Sequence, residues 1–480
     1  MKLLFVSNLF PPHVVGGYEI GCLTNASAAA RAGHDVRVVT STSFGSLVRQ
    51  PQAHRLDVRP IFQPVLDYEQ GTHFYRRPDH FAGVGGILPG NCAALAEAVR
   101  VWRPDAVWIH NPLGLGPVGI LETAVASGAT VILHLMDDLD EDVGGAQKGF
   151  ELAGRWAAAK ARVHAIACSE RVLRDNSRLG EFASAEVIPS GVDAAVVRGD
   201  APAAGRRAPW RDGETVRMVS FGQITSKKGV QHVVAALGVL RSSMGLDVEL
   251  HLVGRCEAEF ATELRGIAAA ARCAAAVHWH GQRKQRDLHD LLATMHLAVL
   301  PLNEKEAFGY VAPEAALHGM CVAVGPAAGC VDVFPEDYPY VLPARDDPAA
   351  IAATVRRIIV DAEERKAWEA RIAADVAAAC DLDGVVMPRC LAFIAEAIAA
   401  ECREGGPRIL PLGDGELDSS LAAWQMNRNL ALLLDDAADS PVNVSRRLGR
   451  RLERALRGMV PPAARYRLRS LATSLRRRAG

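Results

Sequence analysis

Apolar residues fall into two alternating rhythms along the chain. Short runs rich in Val, Ile, Leu and Phe stand at 3–7 (LLFVS), 35–41 (DVRVVTS), 105–110 (DAVWIH), 130–135 (TVILHL) and 163–169 (VHAIACS). Longer stretches with helical spacing lie between them, among them 18–32 and 118–126. Strands that alternate with helices predict a parallel sheet with helices on both faces. The rhythm breaks after 187–193 (VIPSGVD), where 194–214 is a stretch of Ala, Gly, Pro and Arg of the kind that joins domains. It resumes at 216–222 (VRMVSFG), 247–254 (DVELHLVG), 276–281 (AVHWHG), 297–302 (LAVLPL) and 321–325 (CVAVG). Helices are expected at 228–240, up to 271, at 284–294 and from 311, then at 347–379 and 388–401.

The pattern predicts an α/β protein of two successive doubly wound units. Their expected bounds are 1–200 and 210–385, with 386–405 a helix long enough to cross back onto the first unit and 406–480 a helical tail. Ligands of such sheets sit at the carboxyl ends of the strands, so a two-domain version should bind in the cleft between domains.

Length supports this division: 480 residues exceed one ordinary core, and 49% hydrophobic with 23% charged residues is a globular composition. Ten cysteines include no C-x-x-C pair, so neither a zinc knuckle nor a disulfide framework is suggested. The start, MKLLFVSNLFPP, lacks a signal peptide's length and cleavage site, and no run approaches a membrane span. A cytoplasmic location is expected.

Charge alters that picture at one end. Residues 445–480 hold twelve arginines and a single acid, Glu453, so this tail carries +11 and the rest of the chain −12. Leu448, Leu452 and Leu456, then Leu468, Leu471, Ala472 and Leu475, make apolar stripes on two basic segments parted by Pro461 and Pro462. Such helices bind an anionic membrane surface, here the inner face of the plasma membrane, or pack on an acidic body. The balance does not suggest nucleic acid.

The candidate chemistry centres on 306–319, EAFGYVAPEAALHG. Glu306 and the Phe308, Gly309 and Tyr310 amides fall at a strand's carboxyl end, where a helix begins and free N–H groups suit a phosphate. Glu314, one turn into that helix, is a two-oxygen acceptor able to hold a ribose diol. A second loop, 221–230 (FGQITSKKGV), sets Gly222 after a strand and Lys227-Lys228-Gly229 at a helix start, where a lysine would meet a diphosphate.

Taken together these motifs resemble the retaining glycosyltransferases of family 4, with the GT-B fold of two Rossmann-like domains facing across a cleft. The resemblance spans about residues 1–400. It rests on the E-x7-E pair Glu306 and Glu314, supported by PPHVVGGYE (11–19), ARAGHDVRVVTS (30–41), PDAVWIHNP (104–112), VIPSGVD, FGQITSKKGV, LVGR (252–255) and GPAAGCVDVF (325–334). It implies transfer of a sugar from a UDP- or GDP-linked donor to a hydroxyl acceptor, such as a lipid-linked or cell-envelope glycan. No bound cofactor and no metal are implied.

Residue by residue, the resemblance gives Glu306 to the donor sugar and Lys228 to the diphosphate, and sets His134 beside the transferred sugar. Glu314 would hold the ribose. Phe308, Gly309, Tyr310, Gly222, Gln223 and Gly254 would line the nucleotide, and Gly16 and Gly17 would close over the phosphates and acceptor. Two positions depart from the family pattern. Gln223 stands where arginine is usual, a lost cation that either lowers activity or is supplied by another group such as Lys227 or Arg255, and Ser190 replaces asparagine.

Other readings stay open. The run MDDLDED (136–142) contains a D-x-D able to hold a metal-diphosphate, or is a solvated acidic loop. His110 is a structural residue or a second cleft histidine. A UDP-sugar epimerase on the same fold would share the donor contacts, and a degenerate membrane-associated scaffold would fit the loss at Gln223. An oxidoreductase is disfavoured because no G-x-G-x-x-G follows the first strand. A glycosidase is disfavoured because its two acids must flank one bond.

Overall fold

The computed structural model describes residues 1–14, 16–41, 55–63, 66–69, 72–75, 86–144, 150–193, 197, 210, 213–303 and 306–403. The arginine-rich tail and most of the 194–214 linker lie outside them.

Among the described residues, nine strands belong to the first half of the chain: β1 (Lys2–Ser7), β2 (Asp35–Ser41), β3 (Asp57–Phe62), β4 (Leu66–Glu69), β5 (Thr72–Tyr75), β6 (Ala106–Asn111), β7 (Thr130–Leu135), β8 (His164–Ala167) and β9 (Ser184–Val187). Seven of them form a parallel sheet in the order β3-β2-β1-β6-β7-β8-β9, while β4 and β5 pair as an antiparallel hairpin. The second half contributes β10 (Val216–Phe221), β11 (Val248–Val253), β12 (Val277–Gly281), β13 (Leu297–Leu300) and β14 (Cys321–Val324), ordered β12-β11-β10-β13-β14 and also parallel. Central strands are buried along nearly their whole length, which is why their sequences read as unbroken apolar runs.

Each sheet reverses its winding once, between β1 and β6 in the first and between β10 and β13 in the second. A crevice opens beyond the carboxyl ends of the strands at such a reversal. The second crevice is bounded by the two loops that the sequence singles out.

Strands β3, β4 and β5 fall inside 44–90, a stretch with no interpretable pattern in the sequence. The reason is visible at β3. It is an edge strand with only Phe62 buried, and Pro60 is tolerated because an edge needs only one set of ladder bonds.

The helix Met387–Arg403 follows the 19-residue helix Ala362–Cys380 and returns to the first sheet. Its apolar face, Met387, Cys390, Phe393, Ile394 and Ala397, joins Leu3, Phe5, Trp108, Ile132 and Ile166 in one buried cluster. Backbone bonds from Val192 N to Cys380 O and from Leu382 N to Val192 O lock the crossing. At its far end Glu401 accepts from Thr130 Oγ1 at 2.7 Å. Among the described residues no helix is long and apolar enough to cross a membrane.

Candidate active site

The loop after β10 starts at a backbone contact that only glycine permits. A methyl group on Gly254 would stand 1.6 Å from the Gly222 carbonyl oxygen, and both residues take positive φ (+102° at Gly222, +146° at Gly254). The chain then makes a 3₁₀ turn, Ser226–Lys228, and enters the helix Val230–Ser242 only after Gly229 at φ +74°. The helix expected from 228 therefore starts two residues later, and Lys228 belongs to the turn at its mouth.

From there Lys228 Nζ donates to Glu306 Oε2 across the crevice. Both side chains are about three-quarters covered. Gly309 turns the second loop at φ +86°, where a methyl group would come within 2.7 Å of Leu302 Cδ1 and 3.0 Å of Glu306 Cγ. Its left-handed bend thus brings the Glu306 stem against the start of the helix Val311–Leu317. Among the described residues the N–H groups of Phe308, Gly309 and Tyr310 meet no acceptor, leaving three consecutive donors beside the Lys228–Glu306 pair.

Phe308 is buried and lies edge-on to Tyr310, ring centroids 5.2 Å apart. Tyr310 caps the helix and reaches the first domain. Its hydroxyl lies beside that of Ser190; a methyl group on Gly17 would come within 3.8 Å of its ring Cε2, and one on Gly21 within 3.3 Å of its hydroxyl oxygen. Burial raises the Tyr310 phenol well above its ordinary value, so it stays neutral. Glu314, the fourth residue of the helix, keeps one side open to solvent but is otherwise enclosed. Its carboxylate makes no hydrogen bond or ion pair with a described residue, and the enclosure pushes it up to about 7.

The first domain contributes a stack of rings. His134 on β7 lies 4.5 Å from His110 on β6 at 15° between planes, and Trp108 and Phe5 pack against His110 at 5.3 Å and 5.5 Å. Neither nitrogen of His110, nor Nδ1 of His134, has a partner among the described residues. Burial lowers His134 to about 4 and holds His110 well below the ordinary imidazole value, with His134 adding to the effect there. Both imidazoles are therefore neutral at physiological pH. The domains meet at 168–169, where Ser169 Oγ donates to Ala307 O at 3.1 Å and Cys168 Sγ at 3.4 Å.

The geometry gathers Lys228, Glu306, Phe308, Gly309 and Tyr310, packs Gly222 against Val311 and Gly254, and sets Gly17 against Tyr310. Gly16 stands apart. It caps the helix Gly17–Arg31 in an extended conformation, its N–H donating to Glu19 Oε2 at 2.8 Å, and a methyl group there would meet nothing within 4 Å. Gln223, Lys227 and Arg255 are all exposed, so none of these three side chains is fixed as a cation in place of the family's arginine.

The run 136–142 is neither a D-x-D site nor a solvated loop throughout. Residues Leu139–Gly144 are helical, and Asp140 is buried, accepting from Lys160 Nζ at 2.9 Å, Trp156 Nε1 at 2.7 Å and Leu179 N at 2.8 Å. Asp138 is taken by Arg178 at 2.9 Å and by the Glu141 N–H. Asp137 is exposed and near enough to the second domain to feel Glu306. Crowding by protein pushes its carboxyl up, and Asp138 and Glu306 add to the push. Sequence reasoning missed the Ser169–Ala307 contact because its two partners stand 138 residues apart in the chain.

Residues 15–196 match the family model described as Glycosyltransferase Family 4, and residues 206–374 that described as Glycosyl transferases group 1. Glycogen synthase of Mycobacterium tuberculosis is 28% identical over 400 residues, 77% of this chain and 89% of the relative. Among solved structures, Anabaena HepE in complex with UDP and glucose superimposes with a TM-score of 0.57 at 18% identity, covering 82% of this chain and 99% of the other. Sucrose-phosphate synthase from Thermosynechococcus elongatus gives 0.62 at 16%, covering 83% and 99%. These likenesses establish the two-domain GT-B architecture.

Proposed function

The chain belongs to the family 4 glycosyltransferases, and we propose that it moves a sugar from a nucleoside-diphosphate donor to an acceptor hydroxyl, with retention of configuration and without a metal ion. The observation that carries this reading is the Glu314 carboxylate, without a partner among the described residues, one turn from three backbone donors that are free among those same residues and from the Lys228–Glu306 pair. A ribose diol on Glu314, a diphosphate on Lys228 and the 308–310 amides, and a sugar on Glu306 would satisfy every one of these groups. Solved neighbours captured with UDP and with UDP-glucose make UDP the first nucleotide to test, with GDP second.

In the proposed reaction the bond between the anomeric carbon and the diphosphate oxygen breaks, and its electron pair leaves with the nucleoside diphosphate. Lys228 and the amides stabilise the charge that develops there. Donor binding exchanges the Lys228–Glu306 contact for two substrate contacts, so the pair serves as a mutual placeholder. The acceptor oxygen bonds to the anomeric carbon on the face the leaving group vacates, and its proton passes to a departing phosphate oxygen. His134, neutral at physiological pH, offers a hydrogen bond to the sugar rather than a positive charge. We assign the acceptor to the first domain and its class to glycans, either polymeric, as the name of the mycobacterial relative suggests, or lipid-linked. The arginine-rich tail would then hold the protein at the cytoplasmic membrane face.

Calorimetric titration of UDP, GDP and ADP into the full chain in EDTA tests the reading. One nucleotide should bind saturably, and both Glu314→Ala and Lys228→Ala should weaken it. Binding of none would sink the transferase reading in favour of a scaffold, and binding only with added magnesium would sink the metal-free mechanism.

A further inference from the structure

On the two strands β11 and β12, four side chains of metal-binding type crowd one face of the second sheet. Glu249 and His251 project from β11, and His278 and His280 from the edge strand β12, with His251 and His278 in direct register. Two carboxylate oxygens face two imidazole nitrogens: Glu249 Oε1 lies 3.1 Å from His251 Nε2, and Oε2 lies 3.0 Å from His278 Nε2. One ligand atom from each of Glu249, His251 and His278 falls within 4.8 Å of the others. Behind them His280 Nε2 is 2.8 Å from His251 Nδ1.

We propose that Glu249, His251 and His278 bind a zinc-class divalent cation, with His280 fixing the orientation of His251 and a water in the fourth position. The chemistry of the donor set favours this. Two neutral imidazoles and one carboxylate match the borderline preference of zinc, whereas magnesium and calcium want oxygen ligands throughout. Ligand atoms around a tetrahedral zinc stand about 3.3 Å apart, close to the spacing of the carboxylate and the two imidazoles.

Binding needs no net loss of protons from the rings. His251 and His278 move their hydrogens from Nε2 to Nδ1, freeing both Nε2 lone pairs for the cation. At His251 the relocated hydrogen points at His280 Nε2, whose own hydrogen moves to Nδ1. A histidine ligand is characteristically held in this way by an acceptor behind it.

Two neighbouring cations must be accounted for. One, Arg283, acts on His280, behind the three ligands. Arg217 on β10 is registered beside Glu249, but its guanidinium is held elsewhere, by Thr294 O at 2.8 Å and His296 Nε2 at 2.7 Å. It therefore leaves the Glu249 carboxylate to the imidazoles. The bound ion would staple the edge strand to its neighbour. Edge strands have one free side, and this one ends at Gly281, which accepts from the N–H of Gly254 at the entrance to the donor loops.

The test is titration of zinc chloride into the EDTA-stripped, dialysed full chain, followed by calorimetry and thermal unfolding. One equivalent should bind and raise the melting temperature by on the order of 5 °C at a hundredfold excess over Kd. Glu249→Gln and His278→Ala should each weaken binding at least tenfold, and His280→Ala about tenfold. Magnesium should produce neither effect. Because His278 is half exposed, its substitution should leave the fold and nucleotide binding intact, which separates loss of the site from loss of the protein. Absence of stoichiometric zinc binding, or undiminished binding in Glu249→Gln and His278→Ala, would overturn the proposal. The second outcome would direct attention to the ten free thiols.

Discussion

Two acidic stretches follow strands that point into the crevice, and they have opposite fates. In 137–142, Asp140 is surrounded by a lysine, an indole N–H and a backbone N–H, and Asp138 by an arginine and a backbone N–H. Around 306–314, Glu306 has one lysine and Glu314 has no partner among the described residues. Acids whose lone pairs are all met by the protein hold the protein together. Acids left open, in a site that half encloses them, are available to something else.

The largest effect that would break this contrast lies on the saturated side. Lys160→Met strips the cation from buried Asp140, and denaturant unfolding should show a loss of about 3–5 kcal/mol, with nucleotide affinity of the folded fraction unchanged. A loss below ~1 kcal/mol would mean that Asp140 is not locked in place.

On the open side, Lys228→Ala should lower turnover by about 10²–10³, with little change in melting temperature, because its charge is asked to stabilise a leaving group and not the fold. A drop in stability with turnover preserved would place Lys228 with the structural cations and erase the distinction.

The pH response of Glu314 offers the finest test. Its carboxyl is raised from 4.5 to about 7 in the folded protein, so the native state binds the extra proton, and stability falls as pH climbs from 4.5 to 7. Glu314→Gln should match the parent below pH 4.5 and exceed it in melting temperature above pH 7. Nucleotide binding should run the other way. Ribose hydroxyls prefer the ionised carboxylate, so affinity levels off above pH 7 and declines by about tenfold for each pH unit below it, a slope that Glu314→Gln abolishes. An unchanged slope in that variant would remove Glu314 from the nucleotide site.

Much of the architecture was legible in the chain itself. Buried parallel strands must be apolar on both faces, so 3–7, 105–110, 130–135, 216–222 and 297–302 could be located by composition alone, as could the helices between them. Gly222, Gly254 and Gly309 mark backbone turns that other residues resist. Edge strands such as β3 and β9 were hidden because exposure on one side relaxes the very constraint that makes a strand recognisable. The E-x7-E spacing and the S-K-K-G turn singled out two loops that the structure brings together, since both follow strands of one sheet.

What the chain could not disclose is which charges find each other. Asp140 meets Lys160 twenty residues away, Lys228 meets Glu306 across 78 residues, and His251 meets His280 across 29. Local sequence fixes backbone preference and the period of burial, because those depend on near neighbours. The worth of a charged or polar side chain depends on the dielectric and the partners that folding assembles around it. Identical carboxylates thus became a buried anchor at Asp140 and an open acceptor at Glu314, and only the tertiary structure decided which.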